Sequence, residues 1–129
     1  MNAAPGTTEV FIVDDVLSMR ERLRELVGEV PHAEVIGDAG TPAAAIAGIL
    51  ATMPACVLLD YQLLGGTGVD VLRAVHAKTA STVYVVFTNH PEPQYRRACM
   101  AAGADFFFDK STEFDRIADV IRQLGQPCS

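Results

Sequence analysis

Cysteine is scarce in this chain. Its three copies, Cys56, Cys99 and Cys128, are odd in number and widely scattered, which excludes a disulfide framework and a cysteine-based zinc site. Cys56 sits in an apolar run and Cys99 in a helical pattern, so both read as small apolar residues, whereas Cys128 reads as exposed. Basic charge is short as well: 10 Lys and Arg face 16 Asp and Glu, for a formal charge of −6. That balance argues against a nucleic-acid partner, because such binders carry a basic face. Residues Met1 to Thr8 lack the basic and apolar segments of a secretory signal. One uncharged stretch, Thr41 to Leu59, is nearly long enough to span a bilayer, but Gly48 and the Met53-Pro54 break divide it into a helix and a buried strand. No membrane partner is expected, and the expected location is cytoplasmic. His32 and His76 have no companions at metal-ligand spacing and read as surface residues.

What the chain does have is a set of short apolar runs, each ended by polar residues. Val10-Phe11-Ile12-Val13 is followed by Asp14-Asp15, and Cys56-Val57-Leu58-Leu59 by Asp60. Val83-Tyr84-Val85-Val86-Phe87 is followed by Thr88, and Phe106-Phe107-Phe108 by Asp109-Lys110. Runs of this length and β-branched content read as strands buried on both faces of a parallel sheet. Helical patterns lie between them. Met19, Leu23, Leu26, Val27 and Val30 recur at helical spacing, and Pro31 stops that helix. Glu34 to Ile36 is a short second strand closed by Gly37, and Thr41 with Pro42 caps an alanine-rich helix that ends before Pro54. Gly65-Gly66-Thr67-Gly68 turns into a helix with Val69, Leu72, Ala74 and Val75 inward. A helix from about Gln94 to Ala102 ends at Gly103, and Ala104 to Phe108 is the last strand. Thr112 starts a final helix that faces inward with Phe114, Ile117, Val120, Ile121 and Leu124. Strands and helices alternate five times, the pattern of a doubly wound α/β fold with five parallel strands and five helices. At 129 residues, half of them apolar, the expectation is one complete domain over residues 1–129. Its core is expected to run from about residue 9 to 124, with a frayed tail at Pro127-Cys128-Ser129.

In an open α/β sheet, ligands bind outside the carboxyl ends of the strands. Asp14, Asp15, Asp60, Thr88 and Lys110 all stand there, so three carboxylates, a hydroxyl and an ammonium are expected to converge. Three carboxylates at close quarters repel one another unless a cation sits among them, and hard oxygen ligands suit Mg²⁺, with Mn²⁺ as the other candidate. An ammonium and a hydroxyl beside that cage make a receptor for phosphoryl oxygens. The pattern points to a phosphate-handling site.

These residues, in this order and spacing, resemble the phosphorylation site of bacterial two-component response-regulator receiver domains. The resemblance runs from about Glu9 to about Leu124 and implies a flavodoxin-like sheet in the order 2-1-3-4-5. It implies that Asp60 accepts a phosphoryl group from a phosphohistidine on a sensor histidine kinase or a histidine phosphotransfer protein. By the same resemblance Asp15 ligates the metal directly, Asp14 mainly through water, and the backbone carbonyl of Gln62 completes the protein ligands. Lys110 would bind a phosphoryl oxygen, and Thr88 would move to grasp the phosphoryl group. Phe107, three residues before Lys110, occupies the position of the family's switch aromatic. Lacking a hydroxyl to hold it in water, its ring is expected to rest inward, and plain core packing beside Phe106 and Phe108 is the rival role. Gln62 and His90 stand at the two positions that tune the lifetime of the phosphorylated state.

Some positions depart from the family. Leu64 and Ser111 stand where proline is common, so the peptide before Ser111 is expected to be trans. Asp109, turned away from Lys110 by strand alternation, reads as a surface or capping residue. The resemblance implies a stand-alone switch or relay rather than an enzyme, monomeric or weakly dimeric, acting on an unknown downstream protein and without a DNA-binding output. Tyr95, Arg96 and Arg97 lie on the expected output face. The first helix and the loop after Lys110 form the expected docking face for the histidine-bearing partner. Two other readings compete. A haloacid-dehalogenase-type phosphohydrolase needs a second aspartate two residues after the nucleophile, where this chain has Gln62. A flavodoxin-like small-molecule binder wants a glycine- or hydroxyl-rich loop after the first strand, where Asp14-Asp15 would repel a phosphate.

Overall fold

Side-chain alternation along the apolar runs sorts the core into two layers. The computed structural model describes residues 6–125, so Cys128 and the tail lie outside the described residues. In chain order the elements are β1 Thr8–Val13, α1 Leu17–Gly28, β2 Ala33–Ala39, α2 Pro42–Thr52 and β3 Cys56–Asp60. The short strands β4 Gln62–Leu63 and β5 Gly66–Thr67 follow, then α3 Gly68–Val75, β6 Val83–Thr88, α4 Pro93–Ala102, β7 Phe106–Asp109 and α5 Phe114–Leu124. The five longer strands form one parallel sheet in the order β2-β1-β3-β6-β7. This is the doubly wound order expected, once the β4–β5 hairpin is set aside.

Phe11, Val13, Val57, Leu59, Tyr84, Val86 and Phe107 point to one face, where Ala45 and Ile49 of α2, Leu72 of α3 and Cys99 of α4 cover them. Val10, Ile12, Cys56, Leu58, Val85, Phe87 and Phe108 point to the other, against Leu23 and Val27 of α1 and Ile117 and Ile121 of α5. The register Phe106–Val85, Phe107–Val86, Phe108–Phe87 resolves the three consecutive phenylalanines: only Phe107 faces the α2–α4 layer. Both cysteines in the described residues are buried, as their apolar surroundings suggested. Burial pushes the Cys56 thiol up to about 12 and the Cys99 thiol up to about 11, so both remain protonated and act as packing groups.

Local chemistry sets the helix starts. Thr41 Oγ1 accepts from the Ala44 N–H at 3.3 Å, with Pro42 in the first turn of α2. Thr67 and Asp70 form a reciprocal capping box for α3. Several boundaries differ from the sequence expectation. Helix α1 ends at Gly28, ahead of Val30 and Pro31, and Val30 is buried in the turn that follows. The glycine segment after Asp60 is a small antiparallel hairpin, Gln62 opposite Thr67, rather than an irregular turn. The last strand is Phe106–Asp109, and α5 begins at Phe114 rather than Thr112, because Glu113 bonds back to the Asp109 N–H. Leu124 is exposed, and Ala118 takes its place on the inner face.

Two glycines read as breaks are spacers instead. Strand β2 runs through Gly37 to Ala39, with a register shift between Val10 and Phe11, and α2 runs through Gly48. A Cβ at Gly37 would lie 2.7 Å from Phe11 Cε2, and one at Gly48 would overlap Phe11 Cζ. The Phe11 ring fills the space that both missing side chains leave. Gly48→Ala is therefore expected to destabilise the protein by about 1–3 kcal/mol through overpacking, despite the helix propensity it gains. Urea unfolding measures this, and a midpoint equal to or above the parent's would show that the ring moves aside freely.

Candidate functional site

The parallel registers bring the strand ends level. Val13 pairs with Leu59, Asp60 with Phe87 and Thr88 with Asp109, so the residues just past β1, β3, β6 and β7 share one edge of the sheet. Asp14 is fully buried there. Its Oδ1 accepts from the Val16 N–H at 2.8 Å, and its Oδ2 accepts from Lys110 Nζ at 3.3 Å. Lys110 Nζ donates equally to Asp60 Oδ2, also at 3.3 Å, and lies 4.9 Å from the centre of the Phe87 ring. The Lys110 backbone N–H donates to the Thr88 carbonyl at 2.8 Å, which ties the β6 and β7 ends together. Ligand oxygens of Asp14, Asp15 and Asp60 lie within 4.8 Å of one another, with Asp15 exposed and the other two buried.

One ammonium cannot balance three carboxylates. Burial pushes the Asp60 carboxyl up to about 6; Lys110 and the Gln62 backbone N–H pull it down, and the Asp14 charge raises it further. The donor set is all hard oxygen and carries excess negative charge, which fits a hard divalent cation such as Mg²⁺ and no soft metal.

The remaining expected residues fall as follows. Thr88 is fully buried, and its Oγ1 accepts from the His90 N–H at 3.0 Å. Phe107 is buried inward, its carbonyl accepts from Arg96 Nη1 at 3.3 Å, and the Arg96 guanidinium lies 5.6 Å from its ring centre. The Gln62 side chain is exposed and His90 half-buried. Asp109 stands outside the carboxylate cluster: its Oδ1 accepts from the Ser111 N–H at 2.9 Å and the Ser111 hydroxyl at 2.7 Å, which holds its carboxyl below the usual range. The peptide before Ser111 is trans. His32 and His76 are exposed.

Two residues near the site escaped the sequence reading. Tyr61, next to Asp60, packs against Tyr95 of α4 with ring centres 4.8 Å apart, and His90 meets Tyr95 edge-on at 6.2 Å. Arg20 of α1 turns back so that its Nη1 donates to the Asp14 carbonyl at 2.5 Å. Nothing in the run Arg20, Arg22, Arg24 marks which of the three turns back, because that depends on where β2 places Asp38.

Fold and site together define a doubly wound α/β domain with an acidic, lysine-capped cluster at its strand ends. The family model described as "Response regulator receiver domain" matches residues 10–122, and the chain belongs to that family. It is 27% identical over 117 residues to the DNA-binding transcriptional activator DevR/DosR of Mycobacterium tuberculosis, covering 91% of this chain and 54% of that protein. It is 30% identical over 114 residues to the nitrate/nitrite response regulator NarP of Escherichia coli, covering 88% and 53%. The chain thus spans about half the length of the curated relatives it matches. Among solved structures, the signal receiver domain assigned to NarL of Mycobacterium tuberculosis matches with a TM-score of 0.85 and 27% identity, covering 94% of this chain and 98% of that one. Receiver domains are signalling modules of two-component systems that act with histidine kinases and bind Mg²⁺ at an acidic pocket. Among the described residues, no helix is long and apolar enough to cross a membrane.

The raised Asp60 carboxyl has a consequence for stability. A folded-state pKa above the unfolded one favours folding most below about pH 4, and that contribution is lost as pH rises through about 6. The difference between the two states corresponds to at most about 3 kcal/mol. With a chelator present, Asp60→Asn is expected to be more stable than the parent near pH 7.5 and to converge with it near about pH 4. Thermal melts at the two pH values check this, and a variant less stable than the parent at the higher pH contradicts it.

Proposed function

We propose that this chain is a phosphoacceptor in a two-component relay, with Asp60 as the residue phosphorylated. The observation that carries the reading is Lys110 Nζ at 3.3 Å from both Asp60 and Asp14, beside carboxylate oxygens gathered within 4.8 Å. An Asp60 oxygen attacks the phosphorus of a phosphohistidine on a sensor histidine kinase or histidine phosphotransfer protein. The P–N bond breaks, an acyl phosphate forms on Asp60, and the imidazole leaves. Asp15, Asp14, Asp60 and the Gln62 carbonyl would hold Mg²⁺, or Mn²⁺ in its place, which when bound offsets the repulsion between carboxylate and incoming phosphoryl oxygens. Asp15 is the direct ligand in this reading, because both oxygens of Asp14 are already engaged by Val16 and Lys110 while Asp15 is exposed. Lys110, held by two carboxylates and the Phe87 ring, supplies positive charge to a phosphoryl oxygen.

The Thr88 hydroxyl carries the switch. Its oxygen accepts from the His90 N–H, so a shift of the hydroxyl to donate a charge-assisted hydrogen bond to a phosphoryl oxygen acts directly on the loop after Thr88. Phe107 is already inward, so its ring serves as a wall, and the parts that respond are the loop after Thr88 and its contacts with α4. Gln62 and His90, beside Asp60 and Thr88, tune how readily water reaches the acyl phosphate. The output is contact with an unidentified downstream protein, made by a monomer or weak dimer. The formal charge of −6 supports a protein rather than a nucleic-acid partner. The haloacid-dehalogenase reading lacks its acid/base residue, since Gln62 stands in that position.

Treatment with acetyl phosphate and Mg²⁺ is expected to add one phosphoryl group by intact mass, and Asp60→Asn to add none. Labelling of that variant at the parent's level would sink the assignment. Beryllofluoride with Mg²⁺ is expected to change amide exchange across Pro93–Ala102 in the parent and not in Thr88→Ala. Identical exchange with and without beryllofluoride in the parent would make the domain a phosphate carrier rather than a switch.

A further inference from the structure

We propose that Arg20 is a positioning residue for the metal-binding acidic pair: from α1 it orients the peptide between Asp14 and Asp15, and so the direction of the Asp15 carboxylate. The inference rests on the reading of Asp15 as a metal ligand.

Asp14 is held from its side chain by Val16 and Lys110 and from its own N–H by the Ala39 carbonyl at 3.0 Å. Asp15 has no such anchors. It is exposed, and its carboxylate makes no hydrogen bond or ion pair among the described residues. Its direction therefore depends on the backbone, and the group that sets the backbone there is the Asp14 carbonyl. That carbonyl lies beyond the last residue of β1, at a buried position, and Arg20 Nη1 meets it at 2.5 Å. A buried carbonyl left without a donor is costly, so the guanidinium both satisfies the group and selects one rotation of the peptide.

The surroundings of Arg20 are arranged for this contact. Its Nε lies 3.9 Å from Asp38 Oδ1, too far for a hydrogen bond, and is buried without a partner, while Asp38 Oδ2 accepts from Arg24 at 2.7 and 3.3 Å. The path to the carbonyl passes over Gly40, where a Cβ would stand 2.9 Å from Arg20 Nη1 and 3.6 Å from the Asp14 oxygen. The neighbouring arginines are used elsewhere: Arg22 lies 4.1 Å above the Phe114 ring, and Arg24 pairs with Asp38.

Charge and positioning predict opposite signs. A guanidinium beside three carboxylates repels a cation, so on charge alone its removal would tighten Mg²⁺ binding. If Arg20 positions Asp15, its removal loosens binding. Calorimetric Mg²⁺ titration of the unphosphorylated full chain separates the two. Arg20→Gln is expected to weaken Mg²⁺ affinity by roughly tenfold, as loss of a group orienting a metal ligand does. Gly40→Ala, which keeps the charge and crowds the guanidinium, is expected to weaken it in the same direction. Arg24→Gln removes an α1–β2 ion pair without touching Asp14, and its affinity is expected to match the parent's. Amide exchange at Val16 is expected to quicken in Arg20→Gln and not in Arg24→Gln. Equal or tighter Mg²⁺ binding in Arg20→Gln, or equal weakening in Arg24→Gln, overturns the positioning role alone. A parent that binds no Mg²⁺, or an Asp15→Ala variant that binds it as the parent does, overturns the reading of the site and this inference with it.

Discussion

A single ammonium holds the ends of three strands together. Lys110 Nζ meets Asp14 and Asp60 at 3.3 Å each, across sequence separations of 96 and 50 residues. Burying those charges is costly unless each has a partner, and one lysine against three carboxylates leaves the cluster short of positive charge. Burial raises the proton affinity of Asp60, and the Lys110 charge offsets that rise only in part. The two apolar layers hold these charges together at the strand ends, where a cation or a proton would reduce their mutual repulsion. Groups held in this state are suited to chemistry in which charge is the main obstacle.

The cluster is braced on two sides by different elements. On the side of the acidic pair, α1 and β2 meet through Arg20, Arg24 and Asp38, and Arg20 continues to the Asp14 carbonyl. On the side of Asp60 and Thr88, the contacts run to α4. Tyr61 and His90 touch Tyr95, and Arg96 binds the Phe107 carbonyl. Helix α4 therefore touches residues from the ends of β3, β6 and β7 at once. Helix α4 is thus the element packed on the Asp60 and Thr88 side, whereas α1 is the element bonded to the acidic pair. This division follows from packing, since α4 lies over the face that carries Phe107 and α1 over the opposite one.

Much of the fold was legible because it rests on one-dimensional periodicity. The apolar runs marked β1, β3, β6 and β7, and the Thr41-Pro42 start and the Gly103 stop marked α2 and the end of α4. The strand-end rule then brought Asp14, Asp15, Asp60, Thr88 and Lys110 to one edge. Boundaries were less legible where a residue serves a neighbour rather than its own segment. Gly37 and Gly48 looked like breaks but are clearance for Phe11, and Thr112 looked like a cap although Glu113 bonds back to Asp109. Short paired strands such as Gln62–Leu63 and Gly66–Thr67 have too few residues to show alternation.

The sequence alone determined which residues stand at the carboxyl ends of the strands, because alternation and chain direction leave no other place for them. It also determined the chemistry on offer there: three carboxylates, a hydroxyl and an ammonium. The tertiary structure decided how those groups divide their bonds. It put Lys110 between Asp14 and Asp60, gave the Thr88 hydroxyl to the His90 N–H, turned Phe107 alone of three phenylalanines toward α4, and sent Arg20 rather than Arg22 or Arg24 to the strand end. Each of those outcomes depends on distances of a few ångströms between residues far apart in the chain, and local periodicity carries no information about them.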